Sequence, residues 1–209
     1  MIRVIIADDH AVVRRGVREI LAEDADILVI GEASSGSEAL RAVGELLCDV
    51  ILLDIAMPDG GGLGVLEQLR YMKQPPRVLI LSVYSEKQYA VRAFKAGAAG
   101  YLTKGSIPEE LITAVKEIAA GKRYISGEMI DQLVDQPNPD QKLAPLEKLS
   151  NREYQVMCQL ASGKSVTEIA KDLSLSVNTI STYRARILTK LGLKNTAEII
   201  VYAVRNNII

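Results

Sequence analysis

The chain is poor in the residues that mark disulfide-bonded, zinc-binding and aromatic-core proteins. Its 209 residues include two cysteines, one histidine, one phenylalanine and no tryptophan. Cys48 and Cys158 stand far apart without a histidine or cysteine nearby, which excludes a disulfide framework and a cysteine-based metal site. His10 alone cannot build a histidine metal site. The hydrophobic cores must therefore be aliphatic.

Long hydrophobic runs are also absent. No apolar run approaches the roughly 18–20 residues that cross a bilayer. The apolar start at residues 2–7, broken by Arg3, is too short for the core of a signal peptide. We therefore expect a cytoplasmic protein that does not enter a membrane. The length allows one or two domains.

Charge is unevenly distributed along the chain. Residues 147–209 hold nine Lys or Arg and five Asp or Glu, a net charge of +4. The first 146 residues therefore hold 16 basic and 21 acidic residues, a net charge of −5. An acidic first part and a basic second part predict different partners. The basic part is a weak indication of nucleic acid.

The first part alternates short apolar runs with amphipathic stretches. The runs predict strands at 2–7, 27–33, 50–54, 77–82 and 100–103. The stretches predict helices at 11–22, 35–47, 62–71, 87–97 and 108–120. This alternation is typical of an α/β domain with a five-stranded parallel sheet and helices on both faces. We favour the flavodoxin-like order 2-1-3-4-5, with a ligand site at the carboxyl ends of the strands.

The second part predicts a small all-α domain. Helical patterns cover residues 150–162, 165–173, 177–191 and 195–205. Before them lies a possible short helix at 126–134 and then a polar stretch at 135–142 with two prolines, which is typical of a linker. The predicted division is a first domain at 1–122, a linker at 123–145 and a second domain at 146–209.

Three carboxylates are predicted to converge in the first domain. Asp8 and Asp9 follow the first strand, and Asp54 ends the third strand, its neighbour in the favoured order. Carboxylates held this close repel one another. A hard divalent cation relieves the repulsion, and oxygen ligands of this kind suit Mg²⁺.

Ser82 and Lys104 lie at the ends of the fourth and fifth predicted strands, beside the same crevice. A hydroxyl and an ammonium are the groups that hold a phosphoryl group, and a carboxylate such as Asp54 is a nucleophile that forms aspartyl phosphates. Each element alone has an ordinary explanation, since an Asp pair after a strand is usually a turn and a lone lysine usually a surface residue. Their conjunction favours a phosphoryl-acceptor site.

Residues 1–122 resemble the receiver domain of two-component response regulators. The matching segments are IIADDH at 5–10, DIAMPDG at 54–60, LS at 81–82 and GYLTK at 100–104. The resemblance implies that Asp54 accepts a phosphoryl group and that Asp8, Asp9, Asp54 and the Ala56 carbonyl hold Mg²⁺. It also implies that Ser82 contacts the phosphoryl group and that Tyr101 is the aromatic switch residue.

The match has departures and open alternatives. Residues 59–64 are richer in glycine than the usual pattern, which predicts a mobile loop. Gly105 replaces the proline that many receivers place after the lysine, so no cis peptide is expected there. Tyr101 also suits a core aromatic at a strand end, and His10 is more plausible as a loop residue than as a phosphate acceptor.

Residues 166–191 have a helix-turn-helix pattern. A short amphipathic helix, a turn at 174–176 and a second helix capped by Ser176 follow one another. The second helix of such a motif enters the major groove, although its polar face also suits simple solvation. The candidate DNA-contacting residues are Asn178, Thr179, Ser181, Thr182, Arg184, Ala185, Arg186 and Lys190.

Residues 149–209 resemble the LuxR-type helix-turn-helix of NarL/FixJ regulators. The matching segments are LSNRE at 149–153, IA at 169–170, Leu173, SVNTISTY at 176–183 and KLG at 190–192. The resemblance implies that Glu153 is a buried anchor. Tyr183 stands where most members have histidine. Ser181 stands where lysine is common, which leaves Arg184 and Arg186 as the main cationic contacts.

Together the two resemblances imply a NarL/FixJ response regulator. A histidine kinase would phosphorylate Asp54, and the protein would then form a homodimer and bind double-stranded DNA at half-sites about 34 Å apart. One alternative is a Mg²⁺-dependent phosphatase, but such enzymes usually have a second Asp where Ala56 stands, so no enzyme is expected. The other is a DNA-binding protein with a degenerate receiver, which the complete set of site residues disfavours.

Overall fold

The computed structural model describes residues 1–57, 61–82, 87–105, 108–125, 145–146, 148–206 and 208. The chain divides into two compact units, residues 1–134 and 135–209. The predicted helix at 126–134 and the polar stretch at 135–142 lie outside the described residues. Within the described ranges, no helix combines the length and the apolar character that a membrane span requires.

The first unit is built on a six-stranded sheet whose neighbouring strands are all parallel. The strands are β1 (Ile2–Ala7), β2 (Ile27–Ala33), β3 (Val50–Asp54), β4 (Arg77–Ser82), β5 (Gly100–Thr103) and β6 (Tyr124–Ile125). Their order is β2-β1-β3-β4-β5-β6, which confirms the predicted order of the first five. The sixth strand was not predicted. Its two residues lie beyond the predicted end of the first domain and pair with β5.

Five helices connect these strands. They are α1 (Ala11–Leu21), α2 (Gly36–Glu45), α3 (Gly61–Leu69), α4 (Lys87–Ala96) and α5 (Pro108–Ala119). Their ends lie within two residues of the predicted ones. The Ser35 side chain accepts the Glu38 backbone N–H and so caps α2. Pro108 begins α5, where its missing N–H costs no helical hydrogen bond.

The core of this unit is mostly aliphatic and lies against both faces of the sheet, but Tyr89 and Tyr101 are fully buried, so the expectation of purely aliphatic cores was wrong. Every residue of β3 is buried, as expected for a central strand covered on both sides. Val4, Leu52 and Leu79 belong to one cluster with apolar residues of α1 and α5. The alternate strand residues are buried too and point to the other face. The sheet is therefore a rigid support for the loops at its ends.

Four helices make up the described part of the second unit. They are α6 (Asn151–Ala161), α7 (Val166–Asp172), α8 (Val177–Leu191) and α9 (Thr196–Arg205). Each is capped by a side chain that accepts a backbone N–H three residues on, from Ser150, Ser165, Ser176 and Asn195 respectively. Gly192 ends α8 in the left-handed conformation, with φ of 69°.

A tight turn joins α7 to α8. Ser174 has φ of 52°, and the Leu175 backbone N–H donates to the Ala170 carbonyl at 2.8 Å. Ile180 and Ile187 of α8 are buried as predicted, whereas Leu188 and Leu191, which were also expected to face the core, are half-buried. The predicted helix-turn-helix is therefore present, with a polar face of α8 open to solvent.

Candidate functional site

The buried carboxylates of the first unit meet at the carboxyl ends of β1 and β3. These strands are neighbours, and Ala7 of β1 pairs with Leu53 of β3. Asp8 and Asp54 are the next residues along the two strands, so they lie side by side at the same edge of the sheet. Asp8 is 2% exposed and Asp54 is 1% exposed. One side-chain ligand atom each from Asp8, Asp9, His10 and Asp54 lie within 4.8 Å of one another. The predicted convergence of the three acids is therefore present.

Lys104 binds two of these acids. Its Nζ lies 2.6 Å from Asp8 Oδ2 and 3.0 Å from Asp54 Oδ2. Its backbone N–H donates to the Ser82 carbonyl at 2.7 Å, which fixes the residue beside the end of β4. Burial opposes the charged ammonium, but the charge of Asp54 and the bonds to Asp8 and Asp54 outweigh it, so the pKa of Lys104 lies above its ordinary value. Lys104 is a fixed cation within the cluster.

The negative charge of the cluster is only partly neutralised. Burial raises the pKa of Asp54 above its ordinary value, Lys104 opposes the rise, and the charge of Asp8 adds to it. The Ala56 backbone N–H also favours the charged Asp54 carboxylate, but within the part of the chain that the structure describes Asp54 Oδ1 joins no ion pair. A buried carboxylate that is only partly neutralised is costly. The site has the chemistry to receive another cation.

The loop after β1 adds two groups that sequence reasoning did not assign to the site. His10 Nδ1 lies 2.7 Å from Asp9 Oδ1 and 3.3 Å from Asp8 Oδ1, and its backbone N–H donates to Asp8 Oδ1 at 2.8 Å. Arg14 donates to the Asp8 carbonyl at 2.7 Å. The adjacency of His10 to two acids was a visible signal, whereas the reach of Arg14 from α1 was not.

Gly62 packs directly on the turn that follows Asp54. A Cβ atom at this position would lie 2.0 Å from the Asp54 carbonyl oxygen, and the Gly62 N–H donates to the Ile55 carbonyl at 3.0 Å. The glycine-rich segment was expected to be a mobile loop, yet Gly61, Gly62 and Gly64 belong to α3. Gly62 and Gly64 thus lie in the helix predicted over 62–71, and the absence of a side chain at Gly62 permits the close packing, while the mobility of the segment stays a prediction. Residues 59–60 lie outside the described ranges.

The remaining predicted residues occupy the same edge or the sheet behind it. Ser82 ends β4 and is buried. Ala56 is half-buried, two residues beyond Asp54. Tyr101 is fully buried and pairs with Ile80. This pair lies one residue further from the carboxyl ends of the strands than the Leu81–Leu102 pair. Its burial fits both the switch residue and the core aromatic that the sequence left open.

In the second unit, α8 presents the predicted polar residues to solvent. Asn178, Ser181, Thr182, Arg184, Ala185, Arg186 and Lys190 are exposed, and Thr179 is half-buried. The Thr182 hydroxyl donates to the Asn178 carbonyl at 2.9 Å, and Arg184 donates to Thr196 Oγ1 at 3.3 Å. Arg186 has neither a hydrogen bond nor an ion pair within the described ranges.

Lys190 differs from the other residues of this face. Its Nζ donates to Glu153 Oε2 at 2.6 Å, and the Glu153 side chain is only 3% exposed. Glu153 also completes the capping box of α6 by accepting the Ser150 N–H at 2.7 Å. Burial alone would raise the pKa of Glu153, but Lys190 and Ser150 lower it below its ordinary value. The pair joins the end of α8 to the start of α6.

Comparison with protein families gives two matches. Residues 4–116 match the response regulator receiver domain. Residues 147–203 match the bacterial regulatory proteins of the luxR family. The first match contains all the acids and the lysine of the cluster, and the second contains the whole of α8.

Full-length relatives cover both units. Response regulator UvrY of Escherichia coli K12 is 35% identical over 209 residues, covering 100% of this chain and 96% of its own. Response regulator GacA of Pseudomonas aeruginosa is 37% identical over 210 residues, covering 100% and 98%. Among solved structures, RcsB from Salmonella enterica serovar Typhimurium, bound to promoter rprA in the presence of the phosphomimetic BeF3-, is 26% identical with a TM-score of 0.66, covering 97% and 98%.

Proposed function

The chain belongs to the two-component response regulators of the NarL/FixJ type, which join a receiver domain to a LuxR-type DNA-binding domain, and from this premise we propose that phosphorylation of Asp54 controls DNA binding by α8. The observation that carries the proposal is the contact of one lysine with two buried aspartates, Lys104 with Asp8 and Asp54. The proposed receiver comprises residues 1–122, a connecting segment 123–145 begins with β6, and the DNA-binding domain comprises 146–209.

The proposed reaction is transfer of a phosphoryl group from a phosphohistidine of a partner kinase to Asp54. A carboxylate oxygen of Asp54 attacks phosphorus, the P–N bond breaks, and the leaving imidazole nitrogen takes up a proton from water. Lys104 would then move from carboxylate oxygens to the phosphoryl oxygens, and the Ser82 hydroxyl would donate to them. These contacts are stronger in a buried site than in water, so they favour the phosphorylated state.

We propose Mg²⁺ as the cofactor, held by Asp8, Asp9, Asp54 and the Ala56 carbonyl. The residues fit this ion because they are hard oxygen donors and because Asp54 Oδ1 joins no ion pair within the described ranges. When bound, Mg²⁺ would neutralise charge on the phosphoryl oxygens during transfer. Lys104, whose Nζ lies 3.0 Å from Asp54 Oδ2, would supply a second positive charge. Because the negative charge of the cluster is only partly neutralised, a further cation would stabilise the site.

We propose that Ser82 and Tyr101 report the phosphorylated state. Ser82 would engage the phosphoryl group, and the buried position of Tyr101 would be the arrangement that accompanies this contact. Phosphate shifts the population of states only through its different affinity for them. The proposed output is a homodimer, because paired helix-turn-helix units read two half-sites about one helical turn, ~34 Å, apart.

The DNA surface is proposed to be the exposed face of α8. Asn178, Ser181, Thr182, Ala185 and Arg186 would face the major groove, with Thr179 at its margin and Arg184 and Arg186 supplying most of the positive charge. Lys190 would position the helix through Glu153 as well as approach phosphate. The RcsB relative, bound to a promoter, supports this role. We place the protein in the cytoplasm, where a bacterial regulator reaches double-stranded DNA, and propose no enzymatic activity of its own.

Sedimentation velocity with Mg²⁺, before and after addition of beryllofluoride, tests the phosphorylation step. Wild type is expected to shift from monomer to dimer, while Asp54→Ala stays monomeric. The same samples, measured for selected operator DNA by fluorescence anisotropy, are expected to show tighter binding only for activated wild type. Equal responses of both proteins would refute Asp54 as the control site.

A further inference from the structure

We propose that the first unit has a second ligand site, an arginine-lined cleft that binds a small anion with two or more phosphoryl groups. The cleft has a volume of about 240 Å³ and lies between the end of α3 and the starts of β4 and β5. Asp54 lies at the other end of the parallel strands. Asp54 pairs with Leu81, four residues along β4 from Arg77, so at about 3.3 Å per residue the two sites are roughly 13 Å apart along the strand.

Three arginines line the cleft, Arg70, Arg77 and Arg123, and none of its described lining residues is acidic. Leu66, Pro76 and Ala98 are among the apolar residues of its lining. A concave surface with one sign of charge and apolar walls concentrates the electric field and attracts counter-ions. The cleft therefore favours anions.

The arginines of this cleft differ from those of the opposite part of the sheet. Arg3 pairs with Asp49, Arg15 with Glu19, and both Arg14 and Arg18 with Glu32. By contrast, Arg70 and Arg123 form no ion pair and no hydrogen bond within the described ranges. Their charges are therefore available to a ligand.

Arg77 is held in place through one end of its guanidinium group. Its Nη2 donates to the Gly121 and Lys122 carbonyls at 2.5 and 3.0 Å. Its Nε is buried and has no acceptor among the described residues. A buried N–H without a partner costs free energy. Because this Nε is not exposed, an anion oxygen would reach it after a local shift of the cleft wall.

Gly97 lies beside Arg70, at a distance where a side chain would make an ordinary van der Waals contact. Its φ is 107°, which disfavours side chains, and a Cβ atom there would lie 3.4 Å from Arg70 Cδ and 3.5 Å from Arg70 Cγ. The aliphatic stem of Arg70 therefore lies over Gly97 at the wall of the cleft. This contact places the arginine at the cleft and limits its freedom, which lowers the entropy lost when a ligand binds.

The number and kind of cations define the ligand. Guanidinium groups match phosphoryl oxygens in paired hydrogen bonds, and three of them call for more than one negative charge. The volume lies below the roughly 300–1,000 Å³ of sites for drug-sized molecules. Inorganic pyrophosphate, the smallest anion with two phosphoryl groups, is therefore the chosen probe.

Isothermal titration calorimetry of the full chain with pyrophosphate, in buffer without Mg²⁺, tests the site. Wild type and Asp54→Ala are expected to bind equally, which separates this site from the proposed phosphorylation. The double variant Arg70→Ala/Arg123→Ala is expected to bind at least tenfold more weakly. Arg15→Ala/Arg205→Ala removes the same charge elsewhere and is expected to bind like wild type. Sulfate, with one tetrahedral group, is expected to bind more weakly than pyrophosphate.

Three outcomes would overturn the proposal. One is the absence of binding up to millimolar pyrophosphate, and another is unchanged affinity in Arg70→Ala/Arg123→Ala. The third is loss of binding in Arg184→Ala/Arg186→Ala alone, which would assign the anion to the DNA surface. Amide NMR shifts at Gly97 and Gly121 give a second readout: these residues are expected to respond in wild type, and circular dichroism verifies that each variant is folded.

Discussion

The two units each contain a lysine bound to a buried carboxylate, but the two clusters are balanced differently. In the first unit, Lys104 serves both Asp8 and Asp54, and the pKa of Asp54 is raised by burial. In the second unit, Lys190 serves Glu153 alone, helped by the Ser150 N–H, and the pKa of Glu153 is lowered. The first cluster has more negative than positive charge, whereas in the second the charge of Glu153 is balanced by Lys190.

This difference separates a ligand site from a structural bond. A satisfied pair gains nothing from a further ion, so the Glu153 pair stabilises the packing of α6 on α8. An unsatisfied cluster costs free energy until something binds, which is how functional sites commonly arise. The backbone supports also differ, since Asp54 rests against a glycine and Glu153 lies in a capped first helical turn.

The largest expected effect comes from breaking the support of the first cluster. Gly62→Ala would place a methyl group against the Asp54 carbonyl, where a Cβ has only 2.0 Å. We expect a loss of about 2–3 kcal/mol in the free energy of unfolding, measured by urea denaturation, together with a lost response to beryllofluoride. Gly64→Ala is the matched control, because nothing lies within 4 Å of its Cβ. Equal stabilities of the two variants would contradict the close packing of Gly62.

A smaller effect is expected from removing the cation of the second cluster. Lys190→Met leaves the buried Glu153 carboxylate without its ammonium, and we expect a loss of about 2 kcal/mol in unfolding free energy. The loss stays below that of a fully buried pair because Lys190 is partly exposed. Lys194→Met, an exposed lysine without an ion pair in the described ranges, serves as control. Loss of DNA affinity without loss of stability would show that Lys190 acts only as a phosphate contact.

The smallest expected effect is a gain, instead of a loss, in the free energy of unfolding. Asp54→Asn removes one charge from an under-neutralised cluster while keeping the side-chain shape, so it is expected to stabilise the first unit by about 1 kcal/mol at neutral pH. Thermal unfolding without Mg²⁺ measures the change. A destabilised Asp54→Asn would mean that Lys104 already balances the cluster.

The pH dependence sharpens the contrast. A raised folded pKa means that stability is lost as pH rises from the ordinary carboxyl value through the folded pKa of Asp54. The gain in stability from Asp54→Asn is therefore expected to vanish at about pH 4. For Glu153, whose folded pKa is lowered, stability is present above the ordinary value and lost as pH falls through the folded one. Glu153→Gln is thus expected to be less stable at neutral pH, with a difference that shrinks in acid.

The sequence predicted the strands better than the contacts between distant residues. The first five strands begin and end at the predicted residues because buried parallel strands are continuous apolar runs with polar residues after them. The convergence of Asp8 and Asp54 followed from strand order alone. Strand β6 was missed because two residues show no period, and the Lys190–Glu153 pair was missed because 37 residues separate its members. The close packing of Gly62 could not be predicted from the sequence, because a high glycine content alone suggests mobility.

Strand β6 has a consequence for how the molecule meets its neighbours. Its two residues lie outside β5, so the four-residue β5 is not the last strand on that side of the sheet. An exposed edge strand invites pairing with another chain, and a very short one offers few open amide and carbonyl groups. Among the described residues, β6 therefore leaves this margin of the sheet with few open backbone groups for pairing with another chain.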